Sequence, residues 1–390
     1  MKKKRVLWAN FYCLMDQSSG ASLAIRQMLL QLQTRGYEVE ILGATIFDSP
    51  RGAIKLEPQR AKVKDAEYFQ FNDGTLRHIL VNTESTNIQD LKATEIETLF
   101  SLYRNKLDKF EPDIIFTYGG KSHDWLLRAE ARLRGVPVLF YLANGNYNAG
   151  GWTRDVDLIM TDSYATAEMY KSRLNVDVTP IGSFIDPKEV VAETNTREHI
   201  LFVNPSLQKG ALLVVQIAKL LGELRPEIKL EIVDSRGAVD EVIELVRHEL
   251  GLSAEYFKNI IKTPMTDDMR TIYQHTRLVL HPSLGWDSGP RVLAEAMLNG
   301  IPAIITDIGG QPKQIGEAGI KVKFPETIHE PPFNKLVPER WLQEIVEKII
   351  EFYDNEALYQ HFVSRAFEYG RKEHHIERST DRLIAALETL

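Results

Sequence analysis

Short apolar runs alternate with amphipathic stretches along nearly the whole chain, the pattern of parallel strands covered on both faces by helices. Residues 6–11 read as a strand. Residues 21–34 carry Leu23, Met28, Leu29 and Leu32 at helical spacing, and Arg35-Gly36 stops that helix before a second strand at 39–42. Further strands are expected at 114–117, 137–142 and 158–161, separated by helices at 122–133 and 164–174. An insertion lies between. In it residues 69–81 alternate about Asn72-Asp73-Gly74, a tight-hairpin signal because glycine tolerates positive φ.

A second series starts at Ile200, with strands at 200–204 and 229–233, helices at 210–224 and 239–250, and strands at 278–281 and 303–306. The same α/β architecture is thus used twice, without an internal sequence repeat. Residues 341–390 are almost entirely helical in pattern. The expected domains are 1–184 and 185–373, with a hinge in 181–187. Leu383, Ile384, Leu387 and Leu390 form an apolar stripe, so helix 374–390 is expected to return to the first domain.

A chain of 390 residues exceeds what one core usually supports, which agrees with two domains. A hydrophobic fraction of 44% and a charged fraction of 26% exclude a disordered chain. The net charge of −7 argues against a nucleic-acid binder. Up to Phe184 there are 23 basic and 22 acidic residues, and beyond it 24 and 32. The near-neutral half is therefore the better one to face a membrane or an anionic acceptor. Cys13 is the only cysteine, so neither an internal disulfide nor a cysteine metal site is available, and a cytoplasmic location is expected. Lys2-Lys3-Lys4-Arg5 is not followed by an apolar stretch of leader length, and no apolar run is long enough to span a membrane.

In open parallel sheets ligands lie at the carboxyl ends of strands. The loops there carry the candidate chemistry. Gln17-Ser18-Ser19-Gly20 opens a helix whose free N–H groups suit a phosphate or sugar oxygen, or else are simply capped by serine. Tyr118-Gly119-Gly120-Lys121-Ser122-His123-Asp124 places a lysine and a histidine beside a second helix start. In Asn204-Pro205-Ser206-Leu207-Gln208-Lys209-Gly210, Lys209 opposes the helix dipole unless an anion is near. In the segment 284–302, Pro290 suits a first helical turn, Asn299-Gly300 a C-cap, and Ser288-Gly289 a source of backbone donors. Asp287 then stands at the helix entrance and Glu295 about two turns inside, roughly a dozen ångström away. Two such acceptors suit hydroxyls at the two ends of one nucleotide-sugar. Backbone near Ile261-Lys262-Thr263-Pro264 is where a base could be read.

The stretch from Trp286 to Pro312 resembles the acidic-x7-Glu signature and glycine loop of the family-four glycosyltransferases (glycosyl transferases group 1). Ser19-Gly20-Ala21-Ser22, Arg35-Gly36-Tyr37-Glu38-Val39, Pro205-Ser206 and Lys209-Gly210 follow the family's order. The resemblance implies the GT-B fold, two Rossmann-like domains facing a central cleft. It implies a retaining transferase that moves a sugar from a nucleotide-sugar donor to an acceptor glycan, lipid-linked sugar or other small molecule. By it Asp287 and Lys209 are catalytic, holding the sugar and the diphosphate, and Glu295 holds the ribose hydroxyls. Ser288, Gly289, Arg291, Asn204 and Gly20 complete the donor site, with His123, Lys121 and Asn144 as acceptor-side or auxiliary groups. The leaving phosphate would help deprotonate the acceptor, so orientation and charge stabilisation carry the reaction. No metal or cofactor is expected. A homo-oligomer and a peripheral contact at the inner face of a membrane are compatible with this reading, as is closure of the domains over a donor.

Three departures stand out. Asp287 occupies a position that is usually Glu. Asn204 replaces the basic residue usual five positions before the lysine, leaving Arg236 or Arg291 to meet the diphosphate charge. Ala143-Asn144 stands where a histidine often follows the strand. Two alternatives are weighed against the transferase. A nucleotide-sugar epimerase or a phosphorylase shares the fold type, and for an epimerase His123 with Asp124 is the nearby acid–base pair. A catalytically silent GT-B subunit stabilising a partner enzyme is favoured by Asn204 and Ala143 and opposed by Lys209 and Glu295.

Overall fold

The alternating apolar runs form two sheets, each in its own unit. The computed structural model describes residues 3–390; Met1 and Lys2, the latter part of the basic run, lie outside. The units are Met1–Phe184 with Glu377–Leu390, and Ile185–Ile376. In the first, β1 (Arg5–Ala9), β2 (Glu38–Ala44), β3 (Tyr68–Asp73), β4 (Leu76–Val81), β5 (Ile114–Thr117), β6 (Val138–Tyr141), β7 (Leu158–Thr161) and β8 (Thr179–Pro180) are arranged in the order β3-β4-β2-β1-β5-β6-β7-β8. Neighbours are parallel except β3 with β4. In the second, β9 (His199–Val203), β10 (Leu230–Val233), β11 (Ile260–Thr263), β12 (Thr276–His281), β13 (Ala303–Thr306) and β14 (Gly319–Val322) follow the order β11-β10-β9-β12-β13-β14, all parallel.

Central strands such as β5, β6, β10 and β13 are buried at every position, as expected of a sheet covered on both faces. In the second unit helix Ala211–Leu224 is buried along its first eight residues. Gln216 on it donates to the Val337 carbonyl at 2.9 Å and accepts from the Val337 N–H at 3.1 Å, satisfying a polar side chain in that core. Among the described residues no helix is long and apolar enough to cross a membrane.

Several expectations are corrected. β1 ends at Ala9 because Asn10 turns inward to bond other loops. The hairpin turn falls on Gly74-Thr75, with Asn72 and Asp73 still paired in β3 and Gly74 at φ +58°. Of Ile261-Lys262-Thr263-Pro264, the backbone expected to read a base, the first three residues belong to edge strand β11 (Ile260–Thr263), paired to β10, and Pro264 follows its carboxyl end. Helix Ala93–Lys109 was not anticipated: it buries Leu99, Tyr103 and Leu107, with Ile96, Phe100 and Leu102 packed beside them. The C-terminal return starts at Glu377 rather than at 374; His374 instead shares a hydrogen bond with the Gln314 carbonyl in the second unit. Leu383 and Leu387 are buried, whereas Leu390, expected in the same stripe, is exposed. Arg35 anchors the returning helix through Glu377 at 2.8 Å and Asp381 at 2.9 Å.

Candidate active site

In the second unit β9 leads to β10 on one side and has β12 on the other. Loops leaving their carboxyl ends diverge there, the position where open α/β sheets bind ligands. Glycines let these loops approach. Gly210, at φ +82°, ends the turn Leu207–Lys209, and a Cβ there would stand inside the Pro282 carbonyl. Leu284 and Gly285 N–H groups donate to the Gln208 carbonyl at 2.8 and 3.1 Å. After β13, Gly309 at φ +64° leaves no room for a Cβ against the Asp287 main chain, and Gly310 N–H donates to the Asp287 carbonyl at 2.7 Å. The Asp287 main chain is thereby fixed by the loop after β13, while the loop after β9 holds Leu284 and Gly285 just before it.

Its side chain completes the cluster. Asp287 Oδ2 accepts from Lys209 Nζ and lies 3.1 Å from His281 Nε2. Burial alone would raise the Asp287 pKa, but the Lys209 charge and the His281 hydrogen bond outweigh it and hold the carboxyl well below the usual range. The anion that Lys209 needs beside a helix start is therefore, within this unit, Asp287. His281 is 2% exposed, and burial pushes its pKa down. Glu295 is also buried. Its Oε2 accepts from the Tyr273 hydroxyl at 2.6 Å, and its Oε1 faces Arg291 Nε at 2.8 Å.

The helix carrying Glu295 is Arg291–Leu298, with Pro290 as its N-cap rather than its first turn. Glu295 thus lies about one turn inside, and Ser288 and Gly289 belong to the lead-in loop. The separation inferred from an unbroken helix starting at Asp287 does not apply. Arg291, expected to meet diphosphate charge, is paired with Glu295. Asn204 takes a left-handed φ of +66° and its Oδ1 accepts from Gly237 N–H at 3.4 Å. Asparagine is among the few residues that enter this region readily, which gives its presence a backbone reason. Two partners of these carboxylates were missed from the sequence, His281 beside Asp287 and Tyr273 beside Glu295. His281 is the last residue of β12, where strand ends alone point to it. Tyr273 lies in the four-residue helix Arg270–Tyr273 and has no such signal.

In the first unit the corresponding divergence is between β1 and β5. Asn10, fully buried, donates to the Tyr118 carbonyl at 2.7 Å and to Asp124 Oδ1 at 3.1 Å. Asp124 Oδ2 accepts the Lys121 N–H at 2.8 Å, capping helix Ser122–Leu133. Both Asp124 oxygens are engaged, and His123 Nε2 is 3.9 Å from the nearer one, so the two do not form a free acid–base couple. Arg128, fully buried, donates to the Gly119 and Trp152 carbonyls and lies 4.9 Å from the Phe140 ring centre. The Lys121 side chain is exposed. Asn144 Oδ1 accepts Asn146 N–H at 3.0 Å, shaping its own turn. Gly20 begins helix Gly20–Thr34, capped by Ser19. The loop before it is held by buried Asp16, which accepts from Ser18 N–H at 2.8 Å and Asp48 N–H at 2.7 Å.

Burial raises Asp124 to about 6, above the ordinary value near 4. The folded state therefore holds this proton more tightly than the unfolded chain. The stability this contributes is present below about pH 4 and is lost as pH rises towards 6. Unfolding of wild type and Asp124→Asn should be compared at several pH values. The wild-type advantage should shrink across that window and level off above it; an advantage that grew with pH would contradict the assignment.

Residues 186–369 match the model of the family Glycosyl transferases group 1. The chain is similar to the Escherichia coli UDP-Gal:alpha-D-GlcNAc-diphosphoundecaprenol alpha-1,3-galactosyltransferase, with 23% identity over 272 residues, 61% of this chain and 68% of that protein. Sucrose-phosphate synthase from Thermosynechococcus elongatus superimposes with a TM-score of 0.71 at 13% identity over 99% of both chains. Anabaena HepE in complex with UDP and glucose gives 0.70 at 13% identity, over 99% of this chain and 100% of that one. The twofold use of a Rossmann-like sheet and these matches identify the chain as a glycosyltransferase of GT-B fold, whose residues 186–369 are a Glycosyl transferases group 1 domain.

Proposed function

We propose that this enzyme transfers a sugar, with retention, from a UDP-sugar to a glycan or lipid-linked sugar. The observation that carries this reading is the Lys209–Asp287 pair, which joins the loops beyond β9 and β12, with a second buried carboxylate, Glu295, on the helix that follows. Lys209 exchanges Asp287 for the donor's diphosphate, and the released carboxylate accepts hydroxyls of the sugar. Glu295, oriented by Tyr273 and Arg291, accepts the ribose hydroxyls. Backbone groups of Ser288 and Gly289 assist, and the loops around Gly20, Lys121, His123 and Asn144 serve the acceptor. Orientation and charge stabilisation at the departing diphosphate supply the rate, with neither metal nor cofactor required.

The choice of uracil is supported by the UDP-Gal named for the Escherichia coli relative and the UDP bound by HepE. The lipid-linked acceptor is supported by the diphosphoundecaprenol in the relative's name and by the near-neutral first unit. It would place the enzyme in the cytoplasm, against the inner face of a membrane. The silent-subunit alternative loses support, since the left-handed backbone accounts for Asn204.

A thermal-shift screen of nucleoside diphosphates and their sugars tests this reading. A ligand bound only by the folded state at one hundred times its Kd adds about 2.7 kcal/mol of apparent stability. UDP and at least one UDP-sugar should raise Tm, while ADP and GDP should not. No shift with any nucleotide, or equal shifts with all bases, would refute it.

A further inference from the structure

We propose that His281 is the positioning residue that keeps the Asp287 carboxylate aimed when the donor's diphosphate engages Lys209. The inference rests on the reading of Lys209 and Asp287 as donor-binding groups. Both Lys209 and His281 converge on one oxygen, Asp287 Oδ2. They differ in what holds them. Lys209 sits on a single turn beyond β9 with its side chain 24% exposed, on a flexible four-carbon stem that reorients readily towards a phosphate. His281 ends β12, and it pairs in register with Ile305 of β13. An anion able to compete for Lys209 therefore leaves His281 as the partner that cannot move away.

The chemistry of the ring agrees. An ionised carboxylate only accepts hydrogen bonds, so His281 must present Nε2–H to Asp287. Its Nδ1 is buried and has no hydrogen-bond partner among the described residues, so nothing on the far side of the ring draws the proton to the other tautomer. Leaving a buried ring nitrogen unpaired is costly, and an apolar residue would fill the same end of a strand without that cost. The Asp287 main chain is already fixed through Gly310. What remains to be set is the rotation of its side chain, and His281 sets it. Because Nε2 donates to Asp287, His281 is not a base for the acceptor hydroxyl.

The test compares His281→Leu, His281→Gln and His281→Asn. Glutamine places a donor near the reach of Nε2, whereas asparagine falls short. UDP affinity, by calorimetry, should stay within about twofold in all three. UDP release from UDP-glucose and UDP-galactose should fall about tenfold to a hundredfold in His281→Leu and His281→Asn, as expected for loss of a hydrogen bond to a charged group. His281→Gln should recover most of it. Equal losses in the leucine and glutamine variants, or UDP affinity falling in step with turnover, would overturn the proposal. Nitrogen-15 NMR of the wild type gives a readout independent of catalysis and of whether His281→Leu folds. An Nε2–H tautomer is expected, and an Nδ1–H tautomer overturns the proposal. If the wild type released UDP from neither sugar, the functional reading would fail, while the tautomer would still decide the role of His281.

Discussion

Asp287→Asn is expected to lower turnover of a UDP-sugar by about tenfold or more while leaving affinity for UDP unchanged or improved. The carboxylate lies within the loop between β12 and the helix Arg291–Leu298 and shares one oxygen between Lys209 and His281. In the proposed complex it touches the sugar, and UDP alone never reaches it. The substitution also removes an internal competitor for Lys209. An amide cannot match a carboxylate as acceptor for sugar hydroxyls and its NH2 group faces two donors, so the loss should fall on the transferred sugar. Steady-state kinetics on the UDP-sugar beside calorimetry on UDP separates the effects. Equal losses in both would place Asp287 at the nucleotide and contradict the assignment.

Lys209→Ala and Glu295→Ala should each weaken UDP binding by about 1.5–3 kcal/mol, the usual worth of a hydrogen bond to a charged group. The structure adds consequences for stability. Without Lys209 the half-buried Asp287 side chain keeps only His281 as a partner. Without Glu295 the Tyr273 hydroxyl, fully buried, loses the acceptor 2.6 Å away, and Arg291 loses its ion pair. An unpaired buried polar group costs about 1–3 kcal/mol, so Glu295→Ala should also lower Tm. Glu295→Gln keeps an acceptor for Tyr273 and isolates the ribose contact from that stability loss.

Much of the fold was legible because strands buried on both faces are continuous apolar runs. Ile114–Thr117, Leu158–Thr161 and Ala303–Thr306 fall where those runs predict. Errors arose where one side chain overrides the pattern, as Asn10 does in ending β1. Helix Ala93–Lys109 was legible and overlooked, since Ile96, Leu99, Phe100, Tyr103 and Leu107 recur at helical spacing. In the site, residue types at loop positions singled out Lys209, Asp287 and Glu295, but not their pairing. The Lys209–Asp287 contact joins residues 78 apart and depends on two glycines, Gly210 and Gly309, that let three loops close on one another. Asn204 read as a missing charge because backbone φ is not written in the sequence. Tyr273, on a single helical turn, carried no periodic signal.

The central claim is that the second unit grips the nucleotide of a sugar donor through Lys209 and Glu295. Calorimetric titration of UDP into the wild type, Lys209→Ala and Glu295→Ala, each confirmed folded, tests it most directly. The account predicts saturable one-to-one binding to the wild type and a Kd raised about tenfold to a hundredfold in each variant. Unchanged affinity in both variants would contradict it.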